Sequence, residues 1–262
     1  MNDMRRFTLL FASLLCSLSA MAWGQKGHDV VAYIAECHLT PKAAARVTAA
    51  LGNHSLVYYA NWMDNASHTD EYRYTSTWHY ANIDEGYTFE TMPRNSDGDV
   101  ISALEMVVAA LDKGGLEPAQ EDLYLRMLIH FMGDLHCPMH AGHKSDRGGN
   151  NRQVWYFSKS TNLHGIWDSD LVESAHRWSY TEWQREVDRV SDDEHDAIVE
   201  GSLVDWLNQT VELCKEIYEF TPEGTRVSYD YIAKYSPVIE QQFVRGGHRL
   251  AHVLNRIYGG KR

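Results

Sequence analysis

The run LRMLIHFMGDL from Leu125 to Leu135 is almost wholly apolar, and His130 and Asp134 interrupt it. Leu125, Leu128, Ile129, Met132 and Leu135 recur at three- and four-residue intervals, which predicts a helix over Glu121 to Leu135 with those residues as its inner stripe. His130 and Asp134, four apart, project from one face of that helix. Pro138 then ends or bends it. Nearer the start, Val30, Val31, Ile34 and Leu39 repeat at helical spacing and set His28 near the beginning of a first helix. TPKAAARVTAAL reads as the next, with Thr40 as cap and Pro41 at the first helical position. Residues 84–100 carry Gly86, Pro93, Asn95 and Asp97-Gly98-Asp99 and read as loop. Ser102 to Leu111 is a short amphipathic helix stopped by Gly114-Gly115.

QVWYFSKSTNLHGIW contains a short β-like extension before a second donor segment, in which His164 and Asp168 repeat the four-residue spacing. From Leu171 to Tyr218 the pattern is charged, Trp-rich and helical, interrupted near Ser191-Asp192-Asp193 and Gly201, with His176 and His195 as surface histidines. The chain closes on one long or proline-broken helix, YDYIAKYSPVIEQQFVRGGHRLAHVLNRIYG. His248 and His252 share a face there, but Arg245, Arg249 and Arg256 weigh against a cation beside them. No repeat, low-complexity stretch or clear linker divides the chain. The expected architecture is all-α, a single mainly helical domain with at most a small β-hairpin.

Composition narrows the function. The 262 residues, 44% of them hydrophobic, suffice for a sizeable core. A formal charge of −12 excludes a broad basic surface that would hold a long nucleic acid by counterion release. Phosphate chemistry on such a chain needs metal ions to bring positive charge locally. At the N-terminus, MNDMRR, the apolar FTLLFASLLCSLSA and the small-residue site Ala20-Met21-Ala22 read as a secretory signal peptide over residues 1–22. The functional domain is then 23–262, beginning at Trp23, and the protein is exported, periplasmic or secreted, with no membrane anchor after cleavage. Cys37, Cys137 and Cys214 remain, and one pair or three free thiols fit equally.

Two His/Asp pairs at four-residue spacing, with His140 between them, suggest a metal centre. Imidazole and carboxylate donors favour zinc in a catalytic site, with manganese or iron fitting less well. Cleavage before Trp23 frees an α-amino group of reference pKa about 7.7 to 8.0, which with its own carbonyl oxygen makes a chelate that His28 completes. Asp64 and His79 lie in an aromatic-rich stretch, where a turn residue and a core histidine are the plainer readings. HAGHKSDRGGNN is a polar loop suited to the rim of a site; His143, Lys144 and Arg147 either meet phosphate there or are simply solvated.

WGQKGHDVVAYIA, ANWMD at 60–64, WHYANI at 78–83, HFMGDLHCPMH at 130–140, GGN at 148–150, NLHGIWD at 162–168 and YSPVIEQQFVRGGHRLAHVLN at 235–255 together resemble the trinuclear-zinc, single-strand-specific nucleases of fungi, plants and bacteria. That family shares its fold with bacterial zinc phospholipases C. The resemblance implies three zinc ions: one on Asp64, His79, His130 and Asp134; one on Trp23 and His28 with Asp134 bridging; one on His140, His164 and Asp168. It also implies that Tyr80 stacks a nucleobase and that Asn82 stands where some relatives place an acidic residue reading the base edge. The cysteines of the fungal disulfides are not matched. The activity implied is endonucleolytic hydrolysis of single-stranded DNA and RNA to 5′-phosphate products, with 3′-nucleotidase action on 3′-nucleotides, by a monomer. Metal held by Asp134 and Asp64 activates water, and no protein nucleophile is needed. A phospholipase C-like or general phosphoesterase on the same metals, and a non-catalytic exported zinc-binding protein, are the competing readings.

Overall fold

The computed structural model describes residues 23–260, so the expected signal peptide at 1–22 lies outside the described residues. Eight longer helices carry the architecture of the described chain: α1 (Gln25–Cys37), α2 (Pro41–Ala50), α3 (Val100–Lys113), α4 (Pro118–Leu135), α5 (Tyr180–Val187), α6 (Asp192–Val199), α7 (Leu203–Phe220) and α8 (Tyr229–Tyr258). Their boundaries follow local chemistry. Thr40 accepts from the Ala43 N–H as expected of a cap. Asp99 and Ser102 satisfy each other's backbone in a capping box, so α3 starts two residues before the apolar pattern suggested. Pro118 at the first turn moves the start of α4 three residues earlier in the same way. Serines at 179, 191 and 202 make further capping boxes with Glu182, Glu194 and Asp205, which divide the charged stretch into α5, α6 and α7.

Helix α8 runs unbroken through Pro237 for 30 residues, about 45 Å at 1.5 Å per residue. It packs along α1, and the two approach closely because Gly247 has no side chain. A Cβ there would lie 2.3 Å from Ile34 Cγ2. Against the same face of α8 pack Trp23 and Trp183, whose rings lie 4.9 and 5.2 Å from that of Phe243. Trp167 adds a further ring 5.1 Å from Tyr235, and its Nε1 donates to Tyr231 Oη at 2.9 Å. These buried indoles fix the start of α1 beside residues 163–170.

The expected hairpin is present as β1 (Gln153–Tyr156) and β2 (Lys159–Asn162), antiparallel with Val154 opposite Thr161. The structure adds a short parallel strand, β3 (Arg226–Val227), on the far side of β1. Two bonds from the β1 arm, Trp155 N–H to Thr225 O and Phe157 N–H to Val227 O, both 2.8 Å, recruit it. Among the described residues no helix is long and apolar enough to cross a membrane.

Candidate metal centre

Helix α4 buries His130 and Asp134 completely, and each is held by what surrounds it. His130 donates from Nδ1 to the Ala60 carbonyl at 2.7 Å, which turns Nε2 toward Asp64 Oδ1 at 3.3 Å and Asp134 Oδ2 at 3.2 Å. Asp64 comes from the short helix Trp62–Ala66 that follows Ala60, so one turn of chain orients a histidine and supplies a carboxylate. His79 completes this group, its Nδ1 lying 3.0 Å from Asp134 Oδ2 and 3.9 Å from Asp64 Oδ1.

On the other side of Asp134 stands His28. Its Nε2 is 3.4 Å from Asp134 Oδ1, and its ring stacks on His130 at 4.0 Å. The ring fits because residue 133 is glycine: a Cβ there would lie 2.6 Å from His28 Nδ1. Sequence reasoning missed Gly133. The signal was present as a glycine inside a strong helical run, which costs about 1 kcal/mol against alanine and so calls for a packing reason.

The third group forms where α4 ends. Residues Pro138–Ala141 make a single 3₁₀ turn, and His140 donates from Nδ1 to the His79 carbonyl at 2.7 Å. His164 donates from Nδ1 to the Gly148 carbonyl at 2.8 Å, and its ring stacks on His140 with centroids 5.3 Å apart. Asp168 Oδ1 lies 3.9 Å from His140 Nε2. The plain helical spacing expected of His164 and Asp168 is corrected here: Asp168 sits in a π-helical turn, Ile166–Asp170, following the short turn Leu163–Gly165. The Gly24 N–H donates to the Asp168 carbonyl at 2.7 Å, which ties the start of the domain to this turn and draws its backbone out of α geometry. Cys137 is buried with its sulfur 3.9 Å from Asp168 Oδ1. Burial pushes its thiol well above the ordinary range, so it acts as a packed neutral S–H.

Electrostatics and missing hydrogen bonds both point to cations. Burial opposes the charge on Asp134, yet His130 and His140 outweigh it and hold the carboxyl well below its usual value. Burial likewise opposes protonation of His130, and Asp134 with Asp64 overcomes it, so His130 is held well above normal. Asp168 goes the other way, pushed well up by burial and by the charges of Asp64 and Asp134. Carboxylates this crowded and this dry need positive charge among them. His28 Nε2, His79 Nε2 and Asp134 Oδ1 are buried without a hydrogen-bond partner. Three donor groups, His28/His130/Asp134 and Asp64/His79/His130, which share His130, and Cys137/His140/Asp168, each have ligand atoms within 4.8 Å of one another. Nitrogen and oxygen donors whose outer nitrogens are held by carbonyls fit a divalent metal of the zinc class. Trp23, fully buried, borders the cluster through Gly24.

Two hollows open over these donors and share Tyr80, Arg147 and His164. One is lined by Asn82, Lys144 and Asn150, and the other by Asp64, His68 and Arg73. Tyr80 and Asn82 therefore stand at the mouth of the metal centre. Of the three candidates in the rim loop, Lys144 and Arg147 line a hollow, while His143 stacks on Tyr218 at 3.9 Å. Arg73 was not singled out by sequence, and neither was His68, whose Nδ1 donates to the Asp64 carbonyl at 2.7 Å. The two histidines read as surface residues are both engaged: His176 stacks on Trp178 at 3.7 Å, and His195 meets His248 at 2.7 Å.

Fold and site together define a helical protein built around a buried, multi-ligand His/Asp centre with a cleft above it. The S1/P1 Nuclease family model matches residues 23–259, and the chain belongs to that family. It is 29% identical to Endonuclease 4 of Arabidopsis thaliana, over 92% of this chain and 91% of that protein. With Nuclease S1 of Aspergillus oryzae the identity is 26%, over 94% and 95%. With Nuclease P1 of Penicillium citrinum it is 28%, over 91% and 99%. The protein is thus a nuclease, a hydrolase of nucleic-acid phosphodiester bonds from a metal-dependent family.

Proposed function

We propose that this nuclease cuts single-stranded DNA and RNA to 5′-phosphate products and removes the 3′-phosphate of 3′-nucleotides, using three zinc ions. Asp64, His79, His130 and Asp134 hold one ion, Trp23 and His28 with a shared Asp134 hold another, and His140, His164 and Asp168 hold the last. When bound, zinc supplies Lewis acidity that activates water and neutralises charge on the phosphate. The observation that carries this reading is the set of buried, unpartnered donor atoms, His28 Nε2, His79 Nε2 and Asp134 Oδ1, gathered beneath a hollow rimmed by Tyr80.

The protein's own groups do the positioning. The carbonyls of Ala60, His79 and Gly148 take the Nδ1–H of His130, His140 and His164, which fixes each ring's tautomer and aim. Arg147 and Lys144 meet the phosphate chain at the rim and offset part of the acidic surface. Tyr80 offers a ring on which an unpaired base stacks, and Asn82 both donates to and accepts from its edge. A duplex cannot deliver a base and its phosphate into so recessed a site, which gives the preference for single strands a steric cause.

Processing and assembly belong to the same proposal. Residues 1–22 direct export, and their removal frees the Trp23 amine as a ligand; the burial of Trp23 and the Gly24–Asp168 bond support the ligand role. All the proposed donors come from one chain, so a monomer suffices. Turnover of single-stranded DNA, RNA, a 3′-nucleotide, duplex DNA and phosphatidylcholine tests the reading. The first three are expected to be cleaved well. Hydrolysis of lipid alone would establish the phospholipase-like alternative, and zinc uptake without phosphate release from any substrate would reduce the protein to a metal binder.

A further inference from the structure

A second His/Asp cluster lies at the far end of α1. His38 follows His28 by ten residues, about 15 Å along the helix, and forms the C-terminal cap of α1. Its Nε2 is 2.8 Å from Asp188 Oδ2, and Asp188 is itself the C-terminal cap of α5. From α8, His248 brings its Nε2 to 2.8 Å from the other oxygen, Asp188 Oδ1. The His38 and His248 rings lie 4.1 Å apart, and one ligand atom from each of the three residues falls within 4.8 Å of the others. The side chains of Asp188 and His248 are 2% and 1% exposed, while that of His38 is 36% exposed. The group is closed on the protein side and open at His38.

We infer that His38, Asp188 and His248 form a separate divalent-cation site of the zinc class, completed by solvent, that clips the ends of α1 and α5 to α8. Two imidazole nitrogens and a carboxylate are the donors zinc takes at about 2.0 to 2.2 Å, which in tetrahedral geometry spaces them about 3.3 Å apart. Opening the two 2.8 Å contacts by about 0.5 Å each takes a small outward movement of the exposed His38 ring and a slight turn of the Asp188 carboxylate away from His248. The supporting contacts are those a metal-bound histidine and carboxylate use. His195 Nδ1 meets His248 Nδ1 at 2.7 Å, and Gln184 Nε2 donates to Asp188 Oδ2 at 3.0 Å. Two helix C-termini, those of α1 and α5, point their carbonyl ends at the site and favour positive charge there.

Two of the three arginines that weighed against a cation on α8 are engaged elsewhere. Arg249 donates to Ile198 O, Gln209 Oε1 and His136 Nε2, and Arg245 donates to Gln242 Oε1. His252, which shares the His248 face in sequence, lies outside the cluster beside Arg256. The site uses none of the donors proposed for catalysis.

Zinc counting on the processed protein tests the inference, with Zn²⁺ itself as the probe. Wild type, His38→Ala and Asp188→Asn are stripped, reloaded with Zn²⁺ and freed of excess. Each variant is expected to hold one equivalent fewer than wild type, to gain less thermal stability on zinc addition, and to keep wild-type turnover of single-stranded DNA. Equal zinc content in wild type and both variants would reduce the cluster to a hydrogen-bond network. Loss of turnover along with more than one equivalent would show that these residues act through the catalytic centre. Should Asp188→Asn fail to fold, the solvent-facing His38→Gln decides by the same count.

Discussion

At the N-terminal end of α1, His28 faces Asp134 across 3.4 Å with neither atom hydrogen-bonded; at its C-terminal end, His38 faces Asp188 at 2.8 Å inside a completed network. The first cluster is buried, rich in carboxylate and leaves donor atoms without partners. The second has one carboxylate flanked by two imidazoles and open to water at His38. One helix thus carries a site that cations must complete and another whose donors satisfy one another until a cation enters. The difference shows how burial sets dependence on metal: orphaned donors in the core cost about 1 to 3 kcal/mol each until something binds them, whereas mutually satisfied ones cost little.

The largest effect that separates the two ends is expected at Asp134, which contacts His28, His79 and His130. Asp134→Asn keeps the shape, removes the charge shared by the donor groups, and lowers turnover of single-stranded DNA by more than about 100-fold, since even supporting residues of metal sites cost 10- to 100-fold. Retention of more than a tenth of wild-type turnover would mean that this carboxylate is not the centre of the site. Next in size is chelation. Stripping metal from wild type exposes three unpartnered buried atoms at the first cluster, and a drop in Tm of about ten degrees or more is expected by differential scanning calorimetry. Most of the drop should remain in His38→Ala, because the second cluster contributes the smaller share of it.

Gly133→Ala sharpens the comparison further. Alanine raises helix propensity by about 1 kcal/mol, but its Cβ takes the space of the His28 ring. Turnover should fall about 10- to 100-fold with one zinc lost per chain, while circular dichroism keeps the helical signal. The smallest effect belongs to the second cluster in chelated protein. Burial opposes the Asp188 charge, but hydrogen bonds from His248, His38 and Gln184 prevail and hold its carboxyl well below the usual value. A depressed carboxyl adds stability that is present above its unfolded pKa, about 3.9, and is lost as pH falls toward the folded value. Asp188→Asn should therefore melt a few degrees below wild type at pH 7, with the gap closing below about pH 4. A gap that widens with acid would reverse the sign of that contribution.

Much of the first cluster could be read from spacing because its central pieces are local. His130 and Asp134 share a face of α4, and Pro138 ends the helix before His140, as periodicity and proline chemistry require. The second cluster left no such trace. His38, Asp188 and His248 come from three elements far apart in the chain, and Gly246 and Gly247 let α8 lie against α1 where His38 and His248 meet. The His248/His252 spacing even pointed the wrong way, since only His248 turns into the group. The π turn at Asp168 was equally hidden, because the bond that draws it out comes from Gly24, at the other end of the domain. Periodicity reports which residues share a face of one element, and the approach of distant elements lies beyond it.

The central claim is that a buried trio of zinc ions, closed by the freed Trp23 amine, does the cutting. Zinc content and turnover of single-stranded DNA measured together, on His38→Ala protein that begins at Trp23, test it most directly. The account expects three zinc per chain, with turnover lost on chelation and restored by Zn²⁺. Full turnover by the same protein stripped of every metal would contradict it.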